Sequence, residues 1–271
     1  MIIIISTIGL FVAILVIGKI NLSVQFSKEV KALFAQSKNI SRQTFQSQQL
    51  NGLPEPVQRY FKYALKDGQP YISYASIIHD GEFKTGFDKD WIKITGEQYA
   101  TTEKPGFIWK GTTVMFTARD MYIADKGRLI VSLFSLFKVA DKKGESFNQG
   151  ELLRWLGESI MYPTNLLPGE RLQWLPIDSK SAKLIFNYKE LSLFFIITFN
   201  DLGQIIQMET KRHLDENNLE TWIIKCSNYK KLNAVMIPVN FEVIWRLKKG
   251  DFSYARFNIK TIEYNKPTVK V

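Results

Sequence analysis

Residues 239–247 read VNFEVIWRL, and this stretch decides the fold. Its odd-numbered positions are apolar and alternate with Asn240, Glu242 and Arg246, which predicts a strand with one wet face. Residues 191–199 (LSLFFIITF) alternate in the same way, but Phe194 and Ile196 make their second face apolar too. A strand that is apolar on both faces must be covered on both. A sheet wrapped into a barrel, or into a half-barrel around helices, meets that need.

The same alternation extends outward from these two stretches in both directions. The composition, with six Trp, eleven Tyr and nineteen Phe, also favours strands. About ten strands at short spacing, with few helices, predict a mainly β (α+β) fold built on a curved antiparallel sheet or half-barrel. The further strands are predicted at residues 72–84, 90–101, 106–116, 118–125, 205–213, 221–229 and 252–264.

Three segments of the main domain have helical rather than strand patterns. Pro54 and Pro56 suit the first turn of a helix that keeps one apolar face as far as Leu65. Residues 128–139 (RLIVSLFSLFKV) are apolar on nearly every side and too short to span a bilayer. We expect them to form a helix that either fills the barrel or moves at its mouth. Residues 149–160 predict an amphipathic helix.

The chain begins with a long apolar run from Ile2 to Ile20, in which Lys19 is the one charged residue. As a helix this run would be ~28 Å long, close to the ~30 Å thickness of bilayer hydrocarbon. No basic residue precedes it and no small-x-small cleavage site follows, which favours an uncleaved anchor over a signal peptide. We therefore expect a single-pass membrane protein with the bilayer as a partner. The basic residues after the run do not settle on which side the main domain lies.

These patterns divide the chain into three parts. Residues 1–20 are the predicted transmembrane anchor. Residues 21–50 are expected to form an amphipathic helix beside the membrane, with Phe26, Val30 and Leu33 on one face, followed by a polar linker. Residues 51–271 form the predicted β-rich, half-barrel-like domain.

A formal net charge of +10 suggests an anionic neighbour, either a phospholipid surface or nucleic acid. The basic residues are spread thinly, however, and their longest runs are pairs such as Lys142-Lys143 and Lys230-Lys231. Because no basic arm or recognition motif occurs in the sequence, no nucleic-acid partner is expected.

The motifs of catalysis and cofactor binding are missing from the sequence. It contains no Gly-x-Ser-x-Gly, no glycine-rich phosphate loop and no metal-binding spacing around its two histidines, His79 and His213. We therefore predict no cofactor, no metal and no catalytic residue. Glu151 and Glu158 lie on one face of the predicted helix 149–160, with Arg154 spaced to pair with both. They form either a salt-bridged helix surface or a polar cluster at the mouth of a cavity.

Several stretches, in the same order, resemble an uncharacterised bacterial family with an N-terminal membrane anchor. They are residues 53–61 (LPEPVQRYF), 81–83 (GEF), 97–99 (EQY), 149–156 (QGELLRWL) and 163–168 (PTNLLP). Residues 227–242 are similar to a hairpin of the LolA/LolB-like lipoprotein-carrier half-barrels, in which a Gly usually stands at the position of Ala234. The resemblance implies a curved sheet around an apolar cavity closed by helices, and lipid or lipoprotein handling by analogy.

The leading hypothesis is therefore that the concave face holds an apolar ligand, a lipid or an acyl chain. The residues expected near the mouth of the cavity are Trp109, Arg119, Glu151, Arg154 and Trp155. A second hypothesis is an enzyme that uses Glu82 or Glu151 as acid or base on an envelope sugar or lipid, which requires carboxylates with raised pKa values gathered in a cleft. A third is a structural or interaction module, which requires a packed interior and an exposed apolar patch.

Overall fold

The computed structural model describes residues 2–37 and 39–269, without the side chains of residues 2–8, 10 and 11. Three α-helices occur in this part of the chain: α1 (Ile2–Phe34), α2 (Glu55–Ala64) and α3 (Glu145–Glu158). Short 3-10 turns lie at Ser47–Leu50, Ser159–Met161 and Pro163–Leu166. The strands are β1 (Tyr74–Phe83), β2 (Ile92–Thr101), β3 (Gly106–Thr112), β4 (Phe116–Ile123), β5 (Lys126–Leu133), β6 (Phe137–Lys142), β7 (Leu172–Pro176), β8 (Ser181–Tyr188), β9 (Leu191–Phe199), β10 (Ile205–His213), β11 (Leu219–Leu232), β12 (Val235–Leu247) and β13 (Gly250–Tyr264).

All these strands belong to one antiparallel sheet, in the order β6-β5-β4-β3-β2-β1-β13-β12-β11-β10-β9-β8-β7. Consecutive strands are neighbours, except that β1 pairs with β13 and that β6 and β7 form the two edges. The chain passes from one edge to the other through α3, which packs against β3, β4 and β5 as well as β9 and β10. Because one helix contacts both halves, the sheet is curved around it without closing. The predicted curved antiparallel sheet is confirmed.

The core lies between the concave face of the sheet and one side of α3. Leu152, Trp155 and Leu156 project from that side and are buried, as the amphipathic pattern predicts. On β9 the odd positions 193, 195, 197 and 199 are buried in the same core. Phe194 and Ile196, on the other face of β9, are only half-buried, and the Nζ atom of Lys183 lies 4.8 Å from the ring centre of Phe194. The second face of this strand is thus partly covered by a neighbouring side chain and not by a helix.

The predicted helix at residues 128–139 is wrong, because this segment forms the β5–β6 hairpin. Leu129 and Val131 point into the concave side, whereas Ile130 packs in a cluster with Phe26 and Val30 of α1 on the convex side. A strand covered on both faces is apolar at every position, so a short run of this kind cannot be told from a buried helix by its pattern.

The predicted membrane anchor and single-pass membrane localisation are also wrong. No helix in the described part of the chain is long and apolar enough to cross a bilayer. The side chains of residues 2–8, 10 and 11, part of the predicted anchor, lie outside the described residues. Farther along α1, Gly18 contacts the side chain of Leu136 in the β5–β6 turn.

The second half of α1 packs on the convex face of the sheet. Phe26, Val30 and Leu33, which share one helix face, lie against side chains of β2, β3, β4 and β5. The segment that follows is also tied to the domain. The amide of Phe45 donates to the carbonyl oxygen of Gln69 at 2.8 Å, and the Phe45 side chain is buried.

The β11–β12 hairpin turns through two residues, Asn233 and Ala234, which lie between the paired Leu232 and Val235. Their φ angles are +48° and +68°, so both are left-handed. The tight turn therefore forms with alanine at the position where the resemblance implies glycine. The left-handed conformation costs a residue with a Cβ roughly 1–2 kcal/mol.

Candidate functional site

A cavity of about 690 Å³ lies between α3 and the concave face of the sheet. This volume is within the range of small-molecule binding sites. The rim of the cavity includes the exposed residues Thr85, Lys142, Leu214 and Asp215. The walls are mostly aromatic and aliphatic, with Phe83, Trp109, Phe116, Leu129, Val131, Trp222, Ile224, Phe241, Val243, Trp245, Tyr254 and Phe257 among them.

Helix α3 forms one wall of the cavity and contributes charged residues to it. Its cavity-facing residues recur at helical spacing, so they form one stripe along the helix and into the turn after it. Two of them are glycines, which allow close approach of the sheet: a Cβ on Gly157 would lie 2.6 Å from the Cδ1 atom of Ile224. The stripe consists of Phe147, Gly150, Glu151, Arg154, Gly157, Glu158 and Met161.

Arg154 is the centre of a closed polar cluster on this wall. Its Nη1 donates to Asp120 Oδ2 at 2.5 Å and its Nε donates to Glu158 Oε1 at 2.8 Å. Gln98 Nε2 donates to the second carboxylate oxygen of Glu158 at 2.6 Å. The guanidinium also lies 5.2 Å from the ring centre of Trp109. With two carboxylates and an aromatic ring around it, the Arg154 charge is balanced within the protein.

Trp109 is held in place by a neutral histidine. Its Nε1 donates to His79 Nε2 at 2.7 Å, while His79 Nδ1 lies 3.2 Å from the carbonyl oxygen of Asp80. Burial lowers the pKa of His79 to about 4, against the opposing effect of the Asp80 carbonyl. The imidazole is therefore neutral at pH 7, with its proton on Nδ1 and an acceptor at Nε2.

Arg212 and Glu151 form a second, incomplete polar pair on the cavity wall. Arg212 Nη2 donates to Glu151 Oε1 at 2.7 Å, and the guanidinium lies 4.5 Å from the ring centre of Trp222 and 5.9 Å from that of Trp245. Glu151 Oε2 and Arg212 Nε are buried and have no hydrogen-bond partner among the described residues.

The Glu151 carboxyl is 1% exposed, and its burial raises its pKa to about 8. The charge of Asp120 raises this pKa further, whereas Arg212 and Arg154 oppose the shift. At neutral pH the carboxyl is therefore mainly protonated and can donate a hydrogen bond.

The structure brings together three of the five residues predicted near a mouth: Trp109, Glu151 and Arg154 all line the cavity. Trp155 lies on the opposite side of α3, where its Nε1 donates to the carbonyl oxygen of Thr101 at 2.8 Å within the core. Arg119 lies on the convex face of the sheet, where it is buried in an ion pair with Glu29 of α1. Neither of these two residues lines the cavity.

The residues that the sequence analysis missed are Arg212, Trp222 and Trp245. The position of Arg212 on its strand is a signal for it. Residues 208, 210 and 212 are two apart on β10, so they lie on the same face of the strand, and all three are buried. Within the described residues, no group of three or more His, Cys, Asp or Glu side chains could hold a metal ion. Glu82, proposed as a catalytic acid or base, is not shielded from solvent. Its side chain is partly exposed, and its Oε1 lies 3.4 Å from Arg256 Nη1 in an ion pair.

Three solved structures have a similar fold at low sequence identity. A domain described as belonging to an outer membrane lipoprotein-sorting protein of Vibrio parahaemolyticus is 11% identical, with a TM-score of 0.43 over 73% of this chain and 88% of that one. A DUF1329 family protein from Desulfovibrio piger is 8% identical, with a TM-score of 0.42 over 72% and 86%. A LolA superfamily protein from Nitrosomonas europaea is 11% identical, with a TM-score of 0.37 over 78% and 92%. At these scores the likeness carries no argument about a ligand.

No curated protein matches the sequence. The model of one family matches residues 43–257, which is most of the chain and includes β1 to β12 and α3. The chain belongs to this family, DUF6544, a family of unknown function.

Proposed function

We propose that this protein binds an amphipathic molecule with a long apolar part, of the lipid or acyl class, in the cavity between α3 and the sheet. The observation that carries the proposal is the composition of the wall. Three tryptophans, Trp109, Trp222 and Trp245, face a space of about 690 Å³ together with many other apolar side chains. Burying an apolar ligand surface there contributes about 25 cal/mol for each Å² removed from water.

The charges in the cavity also favour a ligand that is mostly neutral. Arg154 is balanced by Asp120 and Glu158, and Arg212 is hydrogen-bonded to the mainly protonated Glu151, so the two arginines together leave one positive charge uncompensated. A polyanion such as nucleic acid would require unpaired basic side chains in a row, which this wall does not offer. The cavity also argues against a module with a fully packed interior.

The first test is to purify the full chain, analyse it by native mass spectrometry and extract bound lipid with organic solvent. We expect an acyl lipid at near-stoichiometric amount. A lipid-free protein that also fails to bind a dansyl-labelled fatty acid would contradict the proposal.

A pair of variants tests whether the cavity is the site. Ala118 lines the cavity on β4, so Ala118→Phe should fill it and reduce bound lipid several-fold. Ser192→Phe adds the same ring on an exposed position of β9 and should leave the lipid content unchanged. Thermal unfolding of both variants shows whether the loss comes from a filled cavity or from misfolding.

A second candidate function is an enzyme in which Glu151 acts as general acid, and one observation favours it. Glu151, with its raised pKa and its unpartnered Oε2, has the properties of a general acid in a cleft. If the protein is an enzyme, the extracted lipid should change chemically on incubation, and Glu151→Gln should stop that change. Recovery of an intact lipid supports binding alone.

A further inference from the structure

We propose that Arg212 and Glu151 form a head-group subsite that selects ligands ending in a carboxylate. This inference rests on the proposed function, since it assigns the polar end of the same ligand. The starting observation is that the two arginines of the cavity, Arg154 and Arg212, differ in how completely they are hydrogen-bonded. All three guanidinium nitrogens of Arg154 are hydrogen-bonded, although Asp120 Oδ1 has no partner, whereas Arg212 Nε and Glu151 Oε2 both lack partners among the described residues.

Two buried polar atoms of one ion pair thus lack partners, as do Arg119 Nε and Glu29 Oε2 on the convex face. Each such atom costs about 1–3 kcal/mol unless another group satisfies it. Arg212 Nε and Glu151 Oε2 are shielded from solvent in this structure, but they belong to side chains that line the cavity, so a molecule bound there lies against the same two side chains. The pair is therefore suited to a ligand that supplies hydrogen-bond acceptors.

The donor geometry of the pair fits a carboxylate. A guanidinium presents its N–H groups in a planar fork, which matches the two oxygens of a carboxylate. Protonated Glu151 adds an O–H donor next to that fork. With Glu151 neutral, the pair carries one positive charge, which a single carboxylate balances.

The surroundings fix Arg212 in place for this role. Its guanidinium lies beside the rings of Trp222 and Trp245, and its side chain is 11% exposed. Gly150 of α3 stands beside Nε: a Cβ there would lie 3.1 Å from that atom. The glycine thus lets the Arg212 side chain pack directly against α3. Lys84 and Lys142, with Asp215, lie farther out along the lining.

The subsite should respond to pH through Glu151. The charged groups that act on its carboxyl are Asp120 of β4, Arg212 of β10, and Arg154 and Glu158 of α3; Tyr254 of β13 also lies near it. Ionisation of Glu151 would neutralise Arg212 and place a second anion beside the ligand carboxylate. Binding of a carboxylate ligand should therefore weaken as Glu151 loses its proton, while binding of a neutral ligand should not.

The test compares hexadecanoic acid with hexadecanol, which differ in the head group alone. Both are titrated into the full, delipidated chain at pH 7, with displacement of a dansyl fatty acid as readout. We expect wild type to prefer the acid, and Arg212→Met to lose about tenfold or more in affinity for the acid, the effect of one charge-assisted hydrogen bond, with little change for the alcohol. Arg246→Met, a half-exposed arginine on β12, is the matched control and should behave as wild type.

The outcomes separate the two proposals. If neither compound binds, the proposed function fails and this inference fails with it. If both bind equally well, or if Arg212→Met keeps the preference for the acid, the ligand cavity stands and the head-group subsite is rejected.

A second variant guards against a folding defect in Arg212→Met. Glu151→Gln keeps a neutral donor at this position and removes its titration, so the affinity of this variant for the acid should not depend on pH. Between pH 7 and pH 9 the wild-type affinity for the acid should fall several-fold, whereas that of Glu151→Gln should stay constant. An identical pH dependence in both proteins would overturn the role of Glu151.

Discussion

The two arginines in the cavity show what separates a structural charge from a binding charge. Arg154 of α3 is hydrogen-bonded to Asp120 and Glu158, while Arg212 of β10 is paired, among the described residues, with Glu151. Both guanidiniums contact aromatic rings and both are largely buried. They differ in how completely the protein satisfies them.

Arg154 lies between two carboxyl groups, those of Asp120 and Glu158, and all three of its guanidinium nitrogens are hydrogen-bonded within the protein. Burial holds Glu151 mainly in the neutral form at pH 7, so the charge of Arg212 is only partly balanced. The first arrangement stabilises the fold, and the second leaves interaction energy for a ligand.

The largest expected effect is the loss of stability on removing Arg154. Arg154→Met would leave Asp120 and Glu158 buried without their cation, so the free energy of unfolding should fall by about 3–5 kcal/mol. Urea unfolding followed by tryptophan fluorescence measures it. Arg246→Met, which breaks half-exposed pairs with Glu209 and Asp251, should cost less than about 1 kcal/mol. An equal loss of unfolding free energy in the two variants would contradict the structural role proposed for Arg154.

The next effect is a pH dependence of stability that Glu151 causes. Its pKa is about 8 in the folded state and near the ordinary 4.5 in the unfolded chain. Between these values the folded state binds more protons, so the stabilisation present below the lower pKa is lost as pH rises through the upper one. The slope is at most about 1.4 kcal/mol per pH unit.

His79 has the opposite sign, because its pKa is lowered to about 4 from 6.5. Its contribution is present above pH 6.5 and is lost as pH falls towards 4. The window from pH 6.5 to 8 therefore isolates Glu151. There, unfolding midpoints in urea should decline for wild type and stay level for Glu151→Gln. If the wild-type unfolding midpoint does not change over this pH range, Glu151 is ionised throughout it. The charge of Arg212 is then balanced by its partner, as that of Arg154 is.

The smallest of these effects is expected on the other face of the sheet. Arg119→Met removes the ion pair with Glu29, whose side chain is 19% exposed and can be hydrated once it is unpaired. The loss should be about 1–2 kcal/mol, the worth of a hydrogen bond between charged groups. Lipid content should be unchanged, because Arg119 does not line the cavity. Lipid lost from this variant without unfolding would show that the convex face takes part in binding.

The overall fold was predictable because strand alternation is a local signal that survives in the sheet. The pattern at 239–247 and the prolines at 54 and 56 correctly indicated a strand and a helix start. The β5–β6 hairpin was not predictable in this way, because Ile130 packs with α1 on the convex face while Leu129 and Val131 line the cavity, so three consecutive positions of β5 are apolar. The hydropathy of residues 2–20 led to the wrong expectation because a run of apolar residues does not by itself distinguish a membrane anchor from another apolar helix.

The cavity could be predicted only in part. Glu151 and Arg154 follow from spacing within one helix, and both line the cavity. Arg212 is 61 residues from its partner Glu151, on a strand that reaches α3 through the curvature of the whole sheet. No local pattern contains that information. Arg119 differs from its strand neighbour Asp120 by one position, and that one position decides which face of the sheet it occupies.

The placement of β13 has a consequence for how this chain is made. This last strand lies in the middle of the sheet, paired with β1 on one side and β12 on the other. During synthesis, β1 emerges early and must wait with an open edge until almost the whole chain has left the ribosome. Contacts so distant in sequence make folding slow, and an unpaired strand edge invites association with other chains. The middle of the finished sheet is therefore the point at which the nascent chain is most exposed to aggregation.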